Sequence, residues 1–303
     1  NQKLLIPKDQ AVKLESKMSV VKFDTIATEA IPRDESSKAA FEAIVKKAVE
    51  TISNGSINKV VLSRKEVIEL PEFELVSVFT KLVQTYPTAF CYCWYHPKIG
   101  MWMGATPEHL LNAKKKSFYT MALAGTQKYV DTVDVNWGRK EMEEQQFVTD
   151  FIIDNLKDIT TEVSVSSPYT LQAGSLLHIK TDIEGILDQD SNLEQVVAVL
   201  HPTPAVCGFP KAVAKHFILE NENYHREYYT GFLGELNKKS SGNGKLQSDL
   251  YVNLRCMKIE NNNTSEITKA SLYMGCGITK DSVPEDEWKE SENKSITMKK
   301  IVL

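Results

Sequence analysis

Apolar positions along the chain recur with two different periods. Over 36–53 they return every three to four residues, which predicts an amphipathic helix. The next run, 58–70 (NKVVLSRKEVIEL), is rich in β-branched residues and predicts a strand. A helix at 72–85 then precedes apolar strands at 88–95, 100–104, 109–113 and 117–122. A long helix over 136–157 carries Phe147, Val148, Phe151, Ile152 and Leu156 on one side. Strands return at 161–165 and 175–186, helices at 191–200 and 210–221, and strands at 227–237, 247–259 and 268–276. The polar run KKSSGNGKLQ (238–247) reads as a hairpin tip. Ser282-Val283-Pro284, followed by acidic residues, marks the start of a last helix. Strands fall in adjacent pairs, without strict alternation with helices. The expected class is α+β with largely antiparallel sheets.

Composition narrows the picture. The 303 residues, 42% hydrophobic and 25% charged, suffice for a sizeable core in one large α+β domain or two average ones. Thirty-six basic and 40 acidic residues leave a net charge of −4 with the signs mixed, without the basic stripes of a nucleic-acid partner. No apolar run approaches the roughly 18–20 residues of a membrane helix. Cys91, Cys93, Cys207, Cys256 and Cys276 are odd in number and scattered, as expected of reduced thiols in a cytoplasmic protein. No secretory signal is visible, and the absence of an initial Met is read as a missing natural start. No apolar helix or edge pattern argues for a strong dimer, so a monomer or weak homodimer is expected.

Candidate chemistry is dispersed. Glu141 and Glu144 share one helix face, as do Glu287, Glu290 and Lys294 on the last helix. Four converging carboxylates would repel unless a cation sat among them, and oxygen ligands without a Cys/His cluster point to Mg²⁺. The same spacing also describes a solvated helix face with an ordinary i, i+4 ion pair. Glycines stand beside strand ends at Gly104, Gly125, Gly275 and Gly277, where backbone N–H groups suit an anion or a bulge relaxes the strand. The loop HPTPAVCGFP (201–210) is stiffened by three prolines ahead of a helix, as a substrate wall or a plain connector. His96, His109, His178, His216 and His225 lack metal-ligand spacing and read as structural.

Taken together, these segments resemble the chorismate-utilising enzymes: isochorismate, salicylate, anthranilate and aminodeoxychorismate synthases. The likeness runs in order through KVVLSR (59–64), GATPEHLL (104–111), LAGT (123–126), the E-x-x-E of 141–144 and HIKTDIEG (178–185). It continues through HPTPAVCGFP (201–210), REYYTGFLGEL (226–236), VNLRCMKI (252–259), GCGIT (275–279) and E-x-x-E-x-x-x-K (287–294). The resemblance implies a four-layer α/β/β/α sandwich with one active site between its sheets, made by a catalytic domain at 41–303 behind a partial segment at 1–40. Within the family, Lys59 stands where isochorismate synthases keep a water-activating lysine, and Ala124 replaces the nucleophilic lysine of aminodeoxychorismate synthases. The 201–210 loop also resembles isochorismate synthases.

The resemblance therefore implies conversion of chorismate to isochorismate, with Lys59 as base and Glu108 as acid. It places Mg²⁺ between Glu144 and Glu290, supported by Glu141 and Glu287. It assigns substrate contacts to Arg255, Tyr229, His178, Lys294, Ala205, Gly125 and the Gly275–Gly277 turn. Menaquinone or siderophore biosynthesis would take the product. A salicylate synthase, or a weakly active chorismate-binding subunit, is the alternative.

Overall fold

A computed structural model describes residues 35–174, 176–239, 246–261 and 267–303. Among these, one six-stranded sheet is formed by β1 (Lys59–Leu70), β2 (Phe90–His96), β3 (Gly100–Thr106), β9 (Gly208–Phe209), β12 (Cys256–Asn261) and β13 (Thr268–Ile278), in the order β2-β3-β12-β13-β1-β9. A seven-stranded sheet contains β4 (His109–Lys114), β5 (Ser117–Lys128), β6 (Thr160–Val165), β7 (Tyr169–Ala173), β8 (Leu176–Leu187), β10 (Phe232–Lys239) and β11 (Leu246–Val252). Its order is β10-β11-β4-β5-β8-β6, with β7 also pairing β8. The pairings are antiparallel, as expected.

Helices cover the outer face of each sheet. On the first lie α1 (Glu35–Ser53), α2 (Leu75–Thr85), α5 (Lys211–Asn221) and α6 (Pro284–Val302). Phe41 and Val45 of α1, Phe217 of α5 and Trp288 of α6 pack there with Val60, Leu62 and Ile278. On the second lie α3 (Arg139–Leu156) and α4 (Leu193–Leu200), whose Val148, Ile152, Val196 and Leu200 meet Leu110, Phe118 and Ile183. The result is the expected four-layer α/β/β/α sandwich. In β13, Leu272, Cys276 and Ile278 join the helix-side clusters, whereas Tyr273 joins an aromatic cluster with Tyr92, Trp102 and Tyr229. A strand covered on both faces is apolar almost throughout, which is why 268–276 carries so little polar alternation.

Several boundaries differ from the sequence expectation. The run 247–259 is two strands, β11 in one sheet and β12 in the other, broken at Asn253–Arg255 with Arg255 in the left-handed region (φ 48°). β-propensity persists across the break because both halves remain buried, so periodicity carries no trace of the change of sheet. The strand expected from 227 begins at Phe232, because Glu227 and Thr230, both at positive φ, form a turn. Gly275 and Gly277 do not form a turn: they lie inside β13, opposite Ser63 and Val61 of β1. The short, half-exposed strand β7 was not anticipated. Helix α1 runs unbroken through the 40/41 boundary, and most of the 238–247 hairpin tip lies outside the described residues.

Candidate functional site

Between the two sheets lies a pocket lined by Val61, Glu108, Gly125, Glu144, His178, Ala205, Tyr229, Arg255, Gly275, Gly277 and Lys294 among others. Its central groups come from two neighbouring crossings between the sheets. The chain passes from β3 to β4 through Pro107-Glu108, and from β11 to β12 through Asn253-Leu254-Arg255. The crossings are tied together: Ala105 N–H donates to Arg255 O (3.0 Å) and Val252 N–H donates to Glu108 O (3.0 Å). Glu108 and Arg255 are thereby held where the strands leave one layer for the other.

Lys59 opens β1 and is fully buried (0% exposed). Its Nζ lies 3.1 Å from Glu144 Oε1, yet no hydrogen bond to it is well aligned. Burial pulls its pKa below the ordinary lysine value; Glu144 opposes this and Lys294 reinforces it. Glu108 shifts the other way. Burial raises it to about 8, against the attraction of Lys59, Arg255 and Lys294. Burial therefore moves the two groups in opposite senses, the lysine toward the neutral amine and the glutamate toward the protonated carboxyl.

His178 is neutral: burial and the nearby Arg255 and Lys294 cations depress it to about 3. Its Nδ1–H donates to Gly125 O (2.8 Å), leaving Nε2 to accept from Arg255 (3.1 Å). Gly125, at φ 69°, sits in a break of the β5–β8 register and exposes that carbonyl. The buried Tyr229 ring stacks on Tyr273 with centroids 5.5 Å apart. A Cβ on Gly275 would come within 2.7 Å of the Tyr229 hydroxyl, so the glycine makes room for it.

The acidic residues meet as pairs with lysines. Glu290 accepts from Lys294 (2.5 Å), which also donates to Gly275 O (2.8 Å). Glu287 accepts from Lys140 (2.5 Å), a residue that sequence reasoning missed although it adjoins Glu141. Burial and the Glu290 charge push Glu287 up to about 7. At Glu290 burial works in the same direction but is outweighed by Lys294 and Lys140, so its pKa falls. Cys276 stands beside this pair, its Sγ and the two carboxylates lying within 4.8 Å of one another. Glu141 joins Glu287 and Glu290 around a separate opening, while Glu144 faces the main cavity.

A match to the family described as chorismate binding enzyme spans residues 3–303. The chain belongs to that family. It is 29% identical over 287 residues to isochorismate synthase EntC of Escherichia coli K12, covering 91% of this chain and 69% of the relative. It is likewise 29% identical over 279 residues to isochorismate synthase MenF of the same strain, covering 88% of this chain and 60% of the relative. The fold matches DhbC from Bacillus anthracis (TM-score 0.76, 24% identity, covering 90% of this chain and 76% of that one). It also matches anthranilate synthase component I from Streptococcus pneumoniae TIGR4 (TM-score 0.73, 22% identity, covering 96% and 65%).

In this chorismate binding enzyme the expected substrate residues line one cavity, but the four glutamates do not form one ring. Glu144 is engaged by Lys59, 3.1 Å away, and Glu287 by Lys140. The acidic pocket nevertheless fits a divalent cation. Glu287 Oε2 is buried without a hydrogen-bond partner, and a buried carboxylate oxygen left unpaired is costly until a cation or donor reaches it.

Proposed function

We propose that this chain isomerises chorismate to isochorismate. The observation that carries the reading is the pair of opposite pKa shifts in two buried groups that feel each other's charge, Lys59 downward and Glu108 upward to about 8. Adding water at C2 while hydroxide leaves C4 needs both a base and an acid. Lys59, as the neutral amine, takes a proton from water as its oxygen bonds to C2. The C1=C2 electrons move to C1–C6, and the C5=C6 electrons to C4–C5. The C4–O bond breaks as Glu108 gives its proton to the departing hydroxyl. Water is consumed and released, so the net change is an isomerisation.

The remaining residues hold the dianion. Arg255, with the Tyr229 hydroxyl, is suited to the enolpyruvyl carboxylate, and Lys294 to the ring carboxylate. His178 keeps Arg255 in place, Ala205 leaves space at C2, and Gly125, Gly275 and Gly277 allow close approach. Mg²⁺ held by Glu144 and Glu290, with Glu141 and Glu287 behind them, would supply positive charge to the ring carboxylate. Isochorismate so formed would serve either menaquinone or siderophore biosynthesis.

The test is chromatography of purified protein incubated with chorismate, with and without Mg²⁺. A Mg²⁺-dependent mixture of chorismate and isochorismate without pyruvate is expected. Salicylate plus pyruvate would replace the reading by a lyase, and no product by a binding subunit.

A further inference from the structure

Arg226 is mostly buried, its side chain 14% exposed, and lies outside the cavity lining. It is paired with Glu222, its Nε donating to Oε2 (2.8 Å) and its Nη2 to Oε1 (2.5 Å). Its fork then reaches two chain segments distant in sequence. Nη1 donates to Val206 O (2.9 Å) and Nη2 to Val61 O (2.6 Å). Val61 and Val206 both line the cavity, the first two residues after Lys59 and the second adjoining Ala205. The guanidinium also lies 5.9 Å from the ring of Tyr229, a third wall. Glu222 extends the clamp along β1, accepting from Ser63 N–H (2.7 Å) and from its hydroxyl (2.9 Å).

The turn that carries Arg226 is itself strained. Glu227 and Thr230 adopt φ of 51° and 64°, costly for non-glycine residues and most of all for a β-branched one. Such backbone persists only when its surroundings fix it. Arg226 fixes one side, and Asn253, whose side chain donates to Tyr228 O (2.8 Å), fixes the other.

We infer that Arg226 is a positioning residue that sets the distance between the Lys59 strand, the Ala205–Val206 wall and Tyr229. The inference rests on the isochorismate reading for its kinetic consequence. A planar guanidinium bridges two carbonyls and a carboxylate at once, and a lysine ammonium cannot hold all three in that geometry. Arg226→Lys keeps the charge beside Glu222 and loses the bridge.

The expected result for Arg226→Lys is a fall in kcat of about tenfold or more, since small misplacements of reacting groups are expensive. KM should change much less, because Arg255 and Lys294 are untouched, and the pH limbs should stay in place. A variant with wild-type kcat at 25 °C, even with a lower Tm, would overturn the inference. Should Arg226→Lys not fold, Glu222→Gln takes its place, with a smaller loss of kcat expected and wild-type kcat as the overturning result.

Hydrogen exchange separates this inference from the reaction assignment. Peptides covering 59–63 and 204–208 should exchange faster together in the folded variant. Unchanged exchange in both would overturn the clamp whatever the enzyme makes. Wild-type protein inert toward chorismate would sink the reaction and leave the exchange result standing.

Discussion

Lys59 Nζ stands 3.1 Å from Glu144 Oε1 in a fully buried position, close enough for attraction but without an aligned hydrogen bond. Such an amine carries its charge at a cost and releases its proton more readily than one in water. Replacing it should therefore hurt chemistry more than folding. Lys59→Ala and Glu108→Gln are each expected to reduce turnover by about 100-fold or more, the usual scale of a general base or acid. Product chromatography with a thermal melt alongside checks this. Near-wild-type turnover in either variant would remove that residue from the proposed acid–base pair.

Glu108 also predicts a pH dependence. As the acid it must be protonated, so kcat/KM should fall as pH rises through about 8. Stability follows the same group. Its folded pKa is raised above the ordinary glutamate value of 4.5, so its contribution is fully present below about 4.5 and is lost as pH rises toward 8. Glu108→Gln has no charge to bury. Its Tm relative to wild type should therefore climb between those pH values and level off beyond them, and a pH-independent difference would contradict the assigned shift.

Much of this site was legible in the sequence because its residues sit in ordered short motifs. Lys59 opens a β-branched strand, and the glutamates recur at helical spacing. What stayed hidden was long-range. Nothing local announces that 252–256 leaves one sheet for the other, since the flanking strands LQSDLYV and CMKIEN both mix apolar and polar residues in strand fashion. The Glu290–Lys294 pair was legible from its spacing, but the pairings of Glu144 with Lys59 and of Glu287 with Lys140 were missed. Lys140 lies one residue before Glu141, but its contact with Glu287 spans 147 residues and arises only when α3 and α6 meet. Arg226 was visible as part of a motif, yet its bonds to Val61 and Val206 join segments that only the fold makes adjacent.

The acidic pocket predicts a metal-linked stability. A cation that binds the folded state alone raises its stability by about 1.4 kcal/mol at ten times its Kd. Mg²⁺ should raise the Tm of the wild type, and Glu290→Gln should abolish most of that rise while also weakening the Mg²⁺ dependence of turnover. Glu162→Gln, on the exposed face of β6, is the control and should behave as wild type. Equal Mg²⁺ responses in both variants would remove Glu290 from the metal site.

Gly277 gives a test that needs no charge change. A Cβ built there would collide with the Glu144 carboxylate and come within 3.1 Å of Lys59 Cε. The backbone is extended and β13 is paired with β1 at this point, so alanine is acceptable to the strand itself. The obstruction therefore falls on the Lys59–Glu144 pair. Gly277→Ala should fold and bind chorismate more weakly, with kcat reduced by about tenfold or more as the base is displaced. Gly55→Ala is the comparison: it has no neighbour within 4 Å but stands at φ 80°, so it should cost stability and leave kcat unchanged. If Gly277→Ala instead lost only stability, the space beside Glu144 would matter to packing and not to the reacting groups.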